Sequence, residues 1–218
     1  FAPLNPTTKR QICSICKRPI RNCICALVQR VANRVDILIL QHTDESTNSK
    51  NTAGLLHLSL KNSQLHIGET FNTEDIQQWL FSNQKTPVLL YPDTPEYKSL
   101  GLIAPPPFEP LANTPVDQLR LVVIDATWRK SRKMLYLNPA LQNLPRLALA
   151  HTPASLYKIR KAHSENQLST LEASCYALQQ LEQRTVDYQP LLDAMSHFVA
   201  QQSAFVPSHI PDQRNPDL

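Results

Sequence analysis

Residues 119–134 read LRLVVIDATWRKSRKM. An apolar run rich in β-branched side chains ends in Asp125, and a burst of positive charge follows two residues after Thr127. A run of this length and composition predicts a buried strand, over 119–125. The segment WRKSRKMLYL (128–137) predicts a basic helix behind it. A carboxylate, a hydroxyl and an indole therefore stand where a buried strand hands over to a helix.

The same alternation extends in both directions. VDILIL (35–40), PVLLYP (87–92) and PRLALA (145–150) predict further buried strands, and SQLHIG (63–68) a short one. Helices are expected at 49–61, over NTEDIQQWLF (72–81), over STLEASCYALQQLEQ (169–183) and over QPLLDAMSHFVAQQSAF (189–205). Strands that are apolar throughout, alternating with helices, predict an α/β domain whose mostly parallel sheet is flanked by helices on both faces. Ligands in such folds bind beyond the carboxyl ends of the strands. His42 and Asp125 are placed there. No internal repeat is present.

Composition narrows the function. Only three of the 218 residues are glycine: Gly54, Gly68 and Gly101. That excludes the glycine-rich phosphate loops of dinucleotide-binding and P-loop proteins, so a nucleotide-bearing ligand has to be held another way. Eighteen prolines, three of them at 105–107, predict a stiff surface connection over 92–116. No apolar run approaches the ~20 residues that cross a bilayer, and no charged-then-apolar leader is seen. The expectation is a cytoplasmic protein. A net charge of +4 permits a polyanionic partner.

The stretch ICSICKRPIRNCICAL (12–27) holds Cys13, Cys16, Cys23 and Cys25, spaced C-x2-C-x6-C-x-C. Four thiolates this close can enclose one tetrahedral ion, which predicts a structural zinc ribbon bearing Lys17, Arg18 and Arg21. The final C-x-C keeps an iron–sulfur centre open. Disulfides are the alternative that a reducing compartment disfavours. Cys175 falls on the apolar stripe 171, 175, 178, 181 and is expected to be a core thiol.

Two polar clusters follow strands. QHTDESTNSKNTAG (41–54) carries His42 and Glu45, which either order a solvated loop or orient a ligand. Asp125, Thr127 and Trp128 either cap the next helix, with Trp packed beneath, or line a site for a planar base or a sulfonium. Arg129, Lys130, Arg132 and Lys133 carry as much charge as the whole net excess. Lys158, Arg160 and Lys161 form another basic group. These groups favour nucleic acid as the partner. Ser169 and Glu172 fit a capping box.

Taken in order, these motifs resemble the DTW-domain family, the tRNA-uridine aminocarboxypropyltransferases. The resemblance runs over residues 13–172 and rests on the four-cysteine spacing, His42 and Glu45 with Asn51-Thr52 behind them, the D-x-T-W of Asp125, Thr127 and Trp128, and Arg160 with Ser169-Thr170-x-Glu172. Thr43 stands where the family usually has proline after the histidine. The resemblance implies a SPOUT-like domain with a C-terminal knot, and S-adenosylmethionine (SAM) as the donor. The reaction implied is transfer of the 3-amino-3-carboxypropyl group to N3 of a tRNA uridine, releasing methylthioadenosine. It implies Asp125, Thr127 and Trp128 at the chemistry, and Tyr91, Asp125, Ser169 and Thr170 on the donor. On the RNA side it implies His42, Glu45, Arg129, Lys130, Arg132, Lys133 and Arg160. The domain reading is a lead and zinc ribbon over 1–30, a catalytic domain over 31–206 and a polar tail over 207–218. A methyltransferase on the same scaffold and a non-catalytic RNA-binding protein are the rival readings.

Overall fold

A computed structural model describes residues 11–92, 101, 105–106, 114–149, 155 and 168–203. Most of the proline-rich connection, the Lys158–Lys161 basic group with Arg160, and the polar tail lie outside the described residues.

Among the described residues, five parallel strands form one sheet. They are β1 (Asp36–Gln41), β2 (Ser63–Ile67), β3 (Thr86–Leu90), β4 (Leu119–Asp125) and β5 (Arg146–Leu147), in spatial order β2-β1-β4-β3-β5. The helices are α1 (Thr43–Ser46), α2 (Ala53–Ser59), α3 (Thr73–Phe81), α4 (Trp128–Leu137), α5 (Pro139–Gln142), α6 (Thr170–Leu181) and α7 (Gln189–Ser203). Alternation along the strands divides the core in two. Ile37, Ile39, Leu121 and Val123 pack with α2, α6 and α7. Leu38, Leu40, Val122 and Leu89 pack with Ile76 and Leu80 of α3, Met134 and Leu135 of α4, and Leu141 of α5. Both faces are covered, which is why these strands are apolar at successive positions. No described helix is long and apolar enough to cross a membrane.

Strand β4 and helix α4 run over the residues expected of them. Helix α4 stops at Asn138 because Pro139 follows, and the residue before a proline avoids helical backbone; Asn138 sits at φ −124°, ψ 81°. Other elements differ from expectation. The helix expected at 49–61 is confined to Ala53–Ser59. Upstream of it the Asn48 side chain accepts the Lys50 amide and the Asn51 side chain accepts the Ala53 amide. Such local side-chain bonds compete with helix. The residues after β1, read as loop, include the one-turn helix α1, capped by Nδ1 of His42 accepting the Asp44 amide. The strand expected over 145–150 shrinks to Arg146–Leu147, which pair with the last two residues of β3. Helix α6 opens with the expected capping box, and Leu171, Cys175 and Leu178 are fully buried. Burial pushes the Cys175 thiol far up, so it is an inert core group.

The strand order creates one switch point. The chain leaves β1 toward β2 on one side, and leaves β4 toward β5 on the other. The crevice beyond the carboxyl ends of β1 and β4 is where an open parallel sheet receives its ligand.

Candidate active site at the carboxyl edge of the sheet

The register of β1 on β4 pairs Gln41 with Asp125, so these two polar side chains lie side by side at the switch point. Asp125 is 2% exposed, and three donors reach it. Its Oδ2 accepts Gln41 Nε2 at 2.8 Å and Asn51 Nδ2 at 2.7 Å; its Oδ1 accepts Thr170 Oγ1 at 2.6 Å. Asn51 Oδ1 in turn accepts Gln41 Nε2 at 3.0 Å and the Ala53 amide at 2.9 Å. The Leu171 amide, in the first turn of α6, donates to Thr52 Oγ1 at 3.3 Å. The carboxylate thus joins β1, β4 and the starts of α2 and α6. Three of its roughly four acceptor directions are occupied.

The expectation that Asp125 or Thr127 caps α4 is corrected. Thr127 occupies the cap position without a side-chain cap bond. Asp125 has the parity of Leu121 and Val123, so it points toward α2 and α6, whereas α4 covers the opposite face. Trp128 does not pack beneath the helix either; it is 53% exposed.

Beyond β3 lies a second group. Tyr91 is buried, its hydroxyl 3.3 Å from Ser131 Oγ, with the Arg146 guanidinium 5.3 Å from its ring centre. The Trp128 indole meets the Tyr91 ring edge-on at 6.0 Å. Tyr91 and Trp128 are therefore brought together, the first buried and the second half exposed. Ser169 lies close to Thr170 but is engaged structurally: its hydroxyl accepts the Glu172 amide and donates to Met195 Sδ.

A third group forms the rim. His42 and Glu45 are both buried, at 5% and 4% exposure. His42 Nδ1 accepts from the Asp44 amide, so its Nε2 faces Glu69 at 3.1 Å as a donor. Glu45 accepts from Asn48 Nδ2. Lys133 pairs with Glu69 at 2.9 Å and Lys130 with Asp44 at 2.6 Å. Lys133, with His42, holds the Glu69 carboxyl below its ordinary range, and Lys130 does the same for Asp44. Arg129 and Arg132 are exposed and have no acidic partner among the described residues. Gln41, Asn51, Glu69 and Ser131 were not expected to be site residues. The signal for Gln41 was a polar side chain closing an apolar strand.

The four cysteine sulfurs lie within 4.8 Å of one another. Cys13–Cys25 and Cys16–Cys23 are each 3.7 Å apart. A tetrahedron with metal–sulfur bonds of ~2.3 Å has edges of about 3.8 Å, so the cluster fits a closed four-thiolate site such as one for zinc. Backbone amides of Cys16 and Ile15 draw the Cys13 thiol down to about 6, while desolvation and the neighbouring thiols push Cys25 up to about 12. A bound cation would offset that crowding. Ile24, between two of the ligands, is 1% exposed and belongs to the main core.

Comparison with known proteins accounts for this arrangement. The family model described as DTW domain matches residues 10–203. The protein named tRNA-uridine aminocarboxypropyltransferase 2 of Drosophila melanogaster is 32% identical over 188 residues, covering 83% of this chain and 70% of that protein. The protein of the same name from Macaca fascicularis is 27% identical over 195 residues, 87% of this chain and 63% of its own length. The protein named tRNA-uridine aminocarboxypropyltransferase A of Arabidopsis thaliana is 31% identical over 139 residues, 58% of this chain and 51% of that protein. No solved structure matches significantly. The matched segment contains the cysteine cluster, the Asp125 clamp and the basic rim together, and the chain belongs to the DTW domain family.

Proposed function

We propose that this protein transfers the 3-amino-3-carboxypropyl group of SAM to N3 of a tRNA uridine. The observation that carries the reading is that the family match over 10–203 spans every group of the candidate site, and that the relatives are named tRNA-uridine aminocarboxypropyltransferases. When bound, SAM supplies an electrophilic methylene: the N3–C bond forms as the C–S bond breaks, and the electron pair leaves on methylthioadenosine.

In this reading the donor occupies the switch-point crevice, with Tyr91 along its adenosine and Thr170 near its polar end. A C-terminal knot of the SPOUT-like kind is part of this reading. Uracil N3 is a weak nucleophile until its proton leaves to solvent water, so the residues around it have to hold base and donor in line. Asp125 does this as an orienting group. Its three donors leave about one acceptor direction, which suits a fixed contact to substrate better than repeated proton exchange. Thr127 and Trp128, exposed at the mouth, contact the uridine, the indole stacking on the base. N3 is hidden within a base pair, so the target nucleotide is unpaired or turned out of its stack. Arg129 and Arg132 face the phosphates. Lys130 and Lys133 serve first to hold Asp44 and Glu69, and through them α1 and the turn after β2. The metal at the cysteine cluster is structural zinc.

Two labelled donors test the proposal. With SAM labelled in its carboxyl carbon, label is expected in tRNA; with SAM labelled in its methyl group, label is expected only in the small-molecule product. Methyl label in the RNA would indicate a methyltransferase instead.

A further inference from the structure

The cysteine knuckle does more than present a basic surface. Lys17 adopts a left-handed conformation (φ 58°), and its amide donates to the Cys13 carbonyl, while the Cys13 amide donates to the Arg18 carbonyl. This tight turn sends the Arg18 side chain away from the sulfurs and toward the sheet. There its guanidinium forks: Nη1 donates to the Ser49 carbonyl and Nη2 to the Asn51 carbonyl, each at 2.7 Å. Its carbon lies 5.3 Å from the centre of the buried Phe198 ring. The segment it grips runs from Ser49 to Asn51, and the side chain of Asn51 is one of the three donors on Asp125.

We propose that Arg18 is a positioning residue for the active site: by clamping the backbone of Ser49 and Asn51 it holds the Asn51 side chain on Asp125, and so couples the cysteine knuckle to the switch point. Its catalytic consequence rests on the function proposed above. The chemistry of the contact suits arginine alone. A planar fork with several donors can bind two carbonyls and stack on a ring at once, whereas a lysine ammonium offers a point charge that reaches one of them. Among the described residues the knuckle also touches the core through Ile24, through Cys16 and through Gln201 Nε2, which donates to the Cys23 carbonyl at 3.1 Å. Those contacts anchor the knuckle independently of Arg18.

The test uses the full zinc-loaded chain as wild type, R18K, N51A and R18K/N51A. The reporter is the Ala53 amide, which donates to Asn51 Oδ1. In R18K, bound zinc per chain stays at the wild-type level and exchange at Ala53 rises about tenfold, as expected for losing one charge-assisted hydrogen bond. The turnover rate falls while KM for tRNA is unchanged. The double variant is no worse than N51A, because both changes break the same link. Three results would overturn the proposal: Ala53 exchange in R18K within twofold of wild type, losses that multiply in the double variant, or loss of zinc from R18K, which would make Arg18 a part of the knuckle alone. If the wild type transfers no aminocarboxypropyl group, the functional reading fails, and Ala53 exchange by itself decides whether Arg18 holds the loop.

Discussion

Replacing Asn51 by aspartate puts the centre of the site under a load that can be worked out. Asn51 Nδ2 lies 2.7 Å from Asp125 Oδ2, inside a cluster that is nearly fully buried. In N51D a carboxylate oxygen takes that place. Two full charges at this distance repel by about 6 kcal/mol at an effective dielectric of 20. The pair can escape by retaining one proton. At pH 7.5 that costs at most about 5 kcal/mol, from 1.36 kcal/mol per pH unit over the gap to an ordinary aspartate near 3.9. Protonation is the cheaper route, so it sets the ceiling. The penalty then shrinks by about 1.4 kcal/mol for each pH unit lowered, toward nothing near pH 4. N51A removes the bond to Asp125, and also the two that Asn51 Oδ1 accepts from Gln41 and Ala53, without adding charge, and its cost should be nearly constant over that range. Urea unfolding of wild type, N51A and N51D between pH 4.5 and 7.5 reads the difference directly. If the difference between N51D and N51A did not change with pH, Asn51 and Asp125 would not be in contact and the clamp would be wrong.

Further predictions concern the knuckle, the alkaline limit and the RNA face. Stripping metal with a chelator should release the packing of Ile24 and lower stability by about 1.5–3 kcal/mol, the worth of one buried aliphatic side chain; an unchanged urea midpoint would show that the cysteines hold nothing structural. Tyr188 donates to the buried Glu182 carboxylate at 2.9 Å, and burial with that charge raises its ionisation well above the ordinary tyrosine value. Its stabilisation is therefore complete below about pH 10 and is lost as pH rises further, since only the unfolded chain then sheds the proton. Y188F should flatten the alkaline limb of the stability curve, leaving the share due to Cys175, and should cost about 1–2 kcal/mol at neutral pH through the donor lost to Glu182; an unaltered alkaline limb would refute this. R129A and R132A should each lower tRNA affinity and reduce the slope of log affinity against log salt by about one; unchanged slopes would remove these arginines from the phosphate contact.

The framework was legible because its signals are local. Strand β4 could be bounded because an apolar run ends in Asp125, and α4 because Pro139 stops it. The cysteine spacing was enough to expect a site that the sulfurs' geometry fits. What could not be read depends on register. Gln41 is a neutral amide that nothing nearby distinguishes from a solvated loop residue, and Asn51 stood out only as part of the resemblance, with no role attached. They gain meaning only when β1 lies beside β4, which brings Asp125 to residues 84 and 74 positions earlier. The cap first expected of Asp125 failed for a related reason. Its parity along β4 sends it to the face of α2 and α6, and which helix covers which face is a tertiary fact. The basic helix was also only half legible. Four cations are evident in the sequence, but the pairing of two of them with Asp44 and Glu69 is not, so Arg129 and Arg132 carry the outward field.

The central claim is a group transfer, and the most direct measurement is mass spectrometry of nucleosides from unmodified tRNA incubated with the zinc-loaded protein and SAM, with the spent donor identified in the same reaction. The account predicts a uridine gaining the mass of an aminocarboxypropyl group, with an equal amount of methylthioadenosine. A uridine gaining only a methyl group, with S-adenosylhomocysteine as the spent donor, would contradict it.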